Sequence, residues 1–251
     1  MQRFLLLLAL FSVASYASPE RPTVSGPQHL QIPVPSGERL DYVRYPAKGN
    51  IRLIWVSSER GQGEAESLAA SRLAERGVEV WMIDLTFSYM LDAGRRGLDH
   101  VPPADMRALL SLAGRDKKLA VVALGRAAVP LLRAYGSWQK QEGRPQQLDF
   151  VLVHPNLYEE AEPLQEVRYL ELGNLAGGHL YIMQPRHSAG IAWLDRQAEA
   201  LRKEGAVVND EVLERVREGF WARQDASAYE VEMSQKLGDL IWARLAKETK
   251  P

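Results

Sequence analysis

The chain has 251 residues, with 31 Lys and Arg against 32 Asp and Glu, a formal charge of −1 and no cysteine. Charged residues make up 25% and hydrophobic ones 46%, the balance of a folded globular chain and not of a disordered or collagen-like one. Near-neutrality without a long block of one sign gives no basis for nucleic acid as a partner, and the lack of cysteine removes disulfides, thiolate catalysis, Cys-ligated zinc and iron–sulfur clusters.

Residues 1–17 carry Arg3, an apolar run from Phe4 to Val13 and the small-residue end Ala14-Ser15-Tyr16-Ala17. That order predicts a secretory signal peptide cut after Ala17, and hence a periplasmic or secreted protein. Elsewhere no run of 18 apolar residues occurs, so no transmembrane segment is expected in the mature chain. Residues 18–27, with Pro19, Pro22, Gly26 and Pro27, read as a lead-in, and 28–251 as one domain.

Within the domain, His29 to Val34 and Leu40 to Tyr45 predict two strands around Pro35-Ser36-Gly37, an opening antiparallel pair. Ile51 to Val56 is a strand, and Glu64 to Arg76 has helical spacing closed by Gly77. Strands at Val78 to Asp84 and Leu119 to Leu124 flank a helix from Pro102 to Ala113. After Gly125 a helix runs to about Tyr135, followed by strands at Phe150 to His154 and His179 to Met183. A helix from Ile191 to Glu204, a strand from Ala206 to Val212 and a helix from Ala228 to Ala246 complete the series. The acidic stretch Tyr158 to Glu166 reads as a solvated cap. Alternating strands and helices imply parallel pairing, and continuous apolar strands imply a sheet covered on both faces. The expected architecture is α/β: a doubly wound, mostly parallel sheet of about eight strands with helices on both faces.

Ligands on such sheets sit beyond the carboxyl ends of the strands. That rule selects Ser57, Ser58, Asp84, Gly125, Arg126, His154, the loop Gln184 to Ser188, and Arg217-Glu218-Gly219-Phe220-Trp221. From about His29 to Ala246 the order of elements resembles the α/β-hydrolase superfamily. Val121 to Val129 resembles its strand, sharp turn and nucleophile helix, usually written G-x-S-x-G. Val216 to Trp221 resembles the loop that supplies its histidine. Matched residue by residue, Gly125 falls on the first glycine, Ala127 on the nucleophile, Val129 on the second glycine and Glu218 on the histidine. The loop after Met183 offers no Asp or Glu for the acid. The resemblance therefore implies a degenerate hydrolase without the Ser-His-Asp triad, leaning away from enzymatic activity.

Ser57 and Ser58 are read as satisfying loop backbone or capping the next helix, with a relocated nucleophile as the alternative. His187 and Ser188 are chain neighbours and point apart, so they do not make a base and nucleophile pair. The histidines lie on separate elements without ligand spacing, so neither metal nor cofactor is expected. His154 is read as a structural imidazole. Arg126 opens a helix after a buried strand, where free N–H groups favour an anion. With Arg186 and His187 it would hold a small anionic ligand, unless it pairs internally with Asp84 or Glu218. The functional expectation is an exported pseudoenzyme that binds a ligand or an envelope protein in the bacterial cell envelope. The alternative is an esterase-like or thioesterase-like hydrolase with a relocated serine.

Overall fold

A computed structural model of the protein describes residues 26–92, 96–142, 147–159 and 167–246. The signal-peptide reading of residues 1–17 and most of the acidic cap stretch lie outside the described residues.

The chain begins with β1 (Gln28–Pro33) and β2 (Arg39–Tyr45), joined by a turn in which Gly37 takes a φ of 93°. β3 (Ile51–Val56), α1 (Glu64–Glu75), β4 (Val78–Ile83), the single turn α2 (Leu85–Ser88), α3 (Pro103–Ala113) and β5 (Lys118–Leu124) follow. α4 (Ala128–Glu142), β6 (Leu148–Val153), β7 (Gly178–His187), α5 (Leu194–Lys203), β8 (Val207–Arg217), α6 (Ala228–Gln235) and α7 (Leu237–Leu245) complete the order. One eight-stranded sheet runs β1-β2-β4-β3-β5-β6-β7-β8, antiparallel at β1/β2 and β2/β4 and parallel at every other pairing.

The central strands alternate sides. Ile54, Val56, Val121, Ala123, Phe150 and Leu152 face one layer with residues of α3, α4 and α5. Leu53, Trp55, Val122, Leu124, Val151 and Val153 face the other with residues of α1 and α7. A strand that must be apolar on both faces reads as an unbroken hydrophobic run, which is why β3 to β6 are plain in the sequence. The expected doubly wound sheet with an opening antiparallel pair is the one observed.

Several boundaries differ from the sequence expectation, among them that of α4, which runs to Glu142 and not to about Tyr135. The single expected C-terminal helix divides at Lys236, which closes α6 and opens α7. β7 runs on to His187 and β8 to Arg217, with a bulge between Pro185 and His187. β8 is an edge strand, and its later residues Glu211, Glu214, Arg215 and Arg217 are charged. Edge strands carry such charges to discourage pairing with other chains, so the apolar pattern that marks a strand stops at Val212 while the ladder continues.

At the opposite end of the sheet from the β3 and β5 carboxyl termini, Glu79 is 1% exposed. Its carboxylate accepts hydrogen bonds from Arg44 Nη2 at 2.8 Å, Arg52 Nε at 2.7 Å, Trp81 Nε1 at 2.9 Å and Lys117 Nζ at 3.3 Å. Arg52 also donates to the Ala113 carbonyl at 2.7 Å. Burial opposes ionisation of Glu79, but the bonds from Arg44 and Arg52 outweigh it and hold the group down at about 2. Removing one partner of a buried ion cluster leaves uncompensated charge. Glu79→Ala is therefore expected to lower the unfolding free energy by about 3–5 kcal/mol at neutral pH, measured by urea denaturation. A depressed carboxylate contributes stability above its unfolded-state pKa and loses it as pH falls, so the deficit should shrink as pH drops through about 2.

Candidate functional site

From β3 the chain crosses through α1 to β4 on one side, and from β4 through α3 to β5 on the other side of β3. The loops leaving β3 and β5 therefore diverge and open a crevice between them, at the point where a doubly wound sheet places its ligands. Two segments face each other across it: the β3–α1 loop, residues 57–63, and the turn that starts at Gly125.

Gly125 is the first residue past β5 and takes a φ of +58°, a left-handed conformation that costs glycine little. A 3-10 turn over Gly125–Ala127 then leads into α4. The residue at the sharp bend is thus Gly125. Ala127, which the sequence resemblance assigns to the nucleophile position, is 0% exposed and packs in the core with Ala128 and Val129. The correction follows from the backbone, since the left-handed bend falls two residues before the position inferred from the G-x-S-x-G spacing. A Cβ placed on Gly125 would stand 2.9 Å from Glu59 Oε2 and 3.4 Å from Ser58 Cβ. The Arg126 backbone N–H, one residue on, donates to that same Glu59 Oε2 at 3.4 Å.

The crevice holds a cavity of ≈160 Å³ lined by Ser58, Glu59, Arg60, Gly125, His154, Asn156, Tyr158, Ala189, Glu218, Gly219 and Trp221. His154 follows β6 with a φ of +49°, uncommon for a residue with a side chain, and its N–H reaches the Met183 carbonyl at 2.9 Å. Its Nε2 lies 3.9 Å from Glu218 Oε2. The loop that carries Glu218 is tied on both sides. The Glu218 N–H donates to the His187 carbonyl at 3.2 Å. The preceding Arg217 grips Glu230 through Nε at 2.9 Å and Nη2 at 2.7 Å. These bonds hold the Glu230 carboxyl far below the usual carboxylate range, against the opposing effect of desolvation.

Of the residues expected at the site, Ser58, Gly125, His154, Glu218, Gly219 and Trp221 meet in this cavity. The others do not line it. Ser57 is 1% exposed and donates through Oγ to Glu66 Oε2 at 2.8 Å. Arg126 is 4% exposed and its guanidinium is spent on protein groups. Nε donates to Asp99 Oδ1 at 2.7 Å, and Nη1 to the carbonyls of Asn156 at 3.2 Å and Tyr158 at 2.6 Å. The internal partner is thus Asp99, on the β4–β5 connection. Asp84 instead caps α2, accepting from Phe87 N–H at 3.0 Å. Arg186 and His187 are exposed, and Arg186 pairs with Glu214 on neighbouring β8 through Nε at 3.1 and 3.2 Å. The three side chains expected to share one anion therefore do not line the cavity. Ser58, 2% exposed, accepts from the Arg60 N–H at 3.3 Å.

Sequence reading left three participants without roles. Glu59 and Arg60 are ordinary loop charges in the sequence; in the fold Glu59 is partly buried and Arg60 stays exposed at the cavity rim. Glu66 had a usable signal, because a carboxyl three residues past a helix N-cap is the reciprocal half of a capping box. Glu66 Oε2 accepts the N–H of the N-cap Gly63 at 3.1 Å as well as the Ser57 hydroxyl, so one buried carboxyl fastens both ends of the β3–α1 loop.

Among the described residues, no group of three or more His, Asp or Glu could hold a metal ion. No described helix is long and apolar enough to cross a membrane. No family model matches the chain, and no curated protein does. Solved structures do. A Klebsiella pneumoniae protein assigned as a dienelactone hydrolase superposes with a TM-score of 0.62 at 17% identity, covering 88% of this chain and 99% of its own. A thermostable carboxylesterase from a metagenomic library gives 0.61 at 13% identity over 92% of each chain. An esterase of Pyrobaculum calidifontis gives 0.59 at 12% identity, over 86% of this chain and 85% of its own. Together with the strand order, these likenesses give the chain the α/β-hydrolase fold.

Glu66 is 0% exposed and its Oε1 has no hydrogen-bond partner among the described residues. Burial pushes its carboxyl up from 4.5 to about 7, against the bonds from Gly63 and Ser57 and with help from the charge of Asp84. A raised carboxyl makes the folded state keep a proton that the unfolded chain has released, so stability falls as pH rises from about 4.5 to about 7. Glu66→Gln should flatten that fall, gaining on the order of 2–3 kcal/mol over the native chain at about pH 8 and little at about pH 4 in urea unfolding.

Proposed function

We propose that the protein is an exported α/β-hydrolase-fold protein that binds a ligand or a protein partner in the bacterial cell envelope without hydrolysing it. The observation that carries this reading is Gly125. The residue at the sharp turn has no side chain, and the space above it is taken by the Glu59 carboxylate. On this fold, attack on a carbonyl needs a nucleophile at that turn and a base within reach of it. Here the turn supplies neither hydroxyl nor thiol, and the position of the usual histidine holds Glu218, a carboxylate beside His154. Export rests on the composition of residues 1–17.

A second reading is an esterase-like hydrolase using Ser58. It is favoured by Ser58 and His154 lining one cavity and by the esterases and hydrolases named among the similar structures. Against it stands the Ser58 hydroxyl itself, which is tied to the Arg60 N–H inside its own loop.

The mature chain incubated with p-nitrophenyl acetate and with a serine-reactive fluorophosphonate probe separates the two. The first reading expects turnover equal to buffer and no covalent label. Turnover and labelling that vanish together in Ser58→Ala and His154→Ala would replace it with the second.

A further inference from the structure

We propose that the β3–α1 loop is a proton-controlled flap, latched against the cavity while Glu66 keeps its proton and released when Glu66 ionises. The device concerns the lip of the cavity and holds whether the cavity binds a ligand or hydrolyses one.

Two carboxyls hold the loop. Glu66 Oε2 accepts the Ser57 hydroxyl at 2.8 Å where the loop begins and the Gly63 N–H at 3.1 Å where it ends. Between them Asp84 Oδ2 accepts the Gln62 N–H at 3.2 Å, and a Cβ on Gly61 would stand 2.9 Å from that same oxygen. The middle of the loop bonds to itself, the Gly61 N–H to the Ser58 carbonyl at 2.9 Å and the Arg60 N–H to the Ser58 hydroxyl at 3.3 Å. To the cavity it presents Ser58, Glu59 and Arg60. Its hold on the facing turn is the long contact of Glu59 with the Arg126 N–H, at 3.4 Å. Glu66 is thus the fastening whose charge decides whether the loop stays down.

No cation neutralises this fastening. Glu66 is 0% exposed, makes no ion pair among the described residues, and its Oε1 has no hydrogen-bond partner there. A carboxylate closed in such a place loses its hydration without gaining a counter-charge, so burial favours the neutral acid. Asp84, at the end of β4, adds its negative charge to the same effect. Charged groups on the other elements packed against α1 are engaged with one another. On β2, Arg39 and Asp41 bond to Gln31 of β1, and Arg44 joins Glu79 of β4 at the far end of the sheet. On α6, Glu230 pairs with Arg217 and Glu232 with Lys236, while on α7 Asp239 pairs with Arg76 and Arg244 with Glu211.

With the flap lifted, Glu66 meets water and titrates at its ordinary 4.5; with the flap down it keeps its proton to about 7. Opening therefore releases a proton between those limits, so the open population rises as pH climbs from about 4.5 to about 7 and then levels off. Linkage over that interval makes the ratio of open to closed grow about 70-fold between pH 5 and pH 8.

Amide hydrogen exchange of the ¹⁵N-labelled mature protein at pH 5 and pH 8 tests the flap, read as protection factors so that base catalysis of exchange itself is removed. Protection at Gly61, Gln62 and Gly63 is expected to fall at least about thirtyfold over that range. It should lie below that of Val122 in β5 and be insensitive to low urea, since local opening exposes little surface. Glu66→Gln, which keeps the side chain's size and cannot ionise, should hold the change within about threefold. Asp84→Asn should narrow the native fall by removing a charge that opposes ionisation, and Ser57→Ala should widen it by removing a bond that favours the charged form. Loop amides as protected as Val122, a native fall within threefold, or an undiminished fall in Glu66→Gln overturns the proposal. Should Glu66→Gln fail to fold, shifts of the same sign in Asp84→Asn and Ser57→Ala overturn it instead.

Discussion

The guanidinium of Arg126 is the point on which the open edge of the sheet converges. It is buried, and it ties Asp99 of the β4–β5 connection to Asn156 and Tyr158 of the segment after β6. A desolvated guanidinium is tolerated only when its fork of donors is filled, and a bidentate carboxylate with carbonyl oxygens fills it. The residue serves two levels at once. Its side chain braces the floor beneath the turn, and its backbone N–H remains on the cavity side. An arginine that reads in the sequence as a ligand hook is thereby a structural anchor, and what it offers to the cleft is an amide.

The buried polar groups at the two ends of the sheet have different partners. At the amino ends of the parallel strands Glu79 is surrounded by cations and an indole N–H, each bonded to it. Around the β3–α1 loop the accounts are open: Glu66 Oε1, Trp55 Nε1 and Trp221 Nε1 are buried with no partner among the described residues. Unsatisfied buried groups lower stability and are seldom kept without a use. Such atoms are spread over the molecule, from Arg44 Nε beside Glu79 to Trp138 Nε1 and Glu204 Oε2.

Much of the fold was legible because the central strands are apolar on both faces and the helices end at glycines such as Gly77 and Gly205. The extended β8 was not, since its edge position replaces apolar residues with charges. At the site, the strand-end rule found Ser58, His154 and Glu218, but matching Gly125 to the first glycine of G-x-S-x-G put the turn's centre on Ala127. Only a backbone angle separates Gly125 from Ala127 as the bend residue, and no side-chain chemistry announces it. The partner of Arg126 was missed for a related reason. Asp99 lies in a connection between elements, and the three-dimensional return of that connection beneath the turn has no local pattern.

Gly125 also bears on how this chain stands in evolutionary time. Glycine and serine codons lie a single base apart, so a hydroxyl at the bend is within easy mutational reach. Yet the first atom of any such side chain would meet Glu59 at 2.9 Å. A side chain at the bend would therefore need a change at Glu59 as well, so two segments far apart in the chain are free to vary there only together.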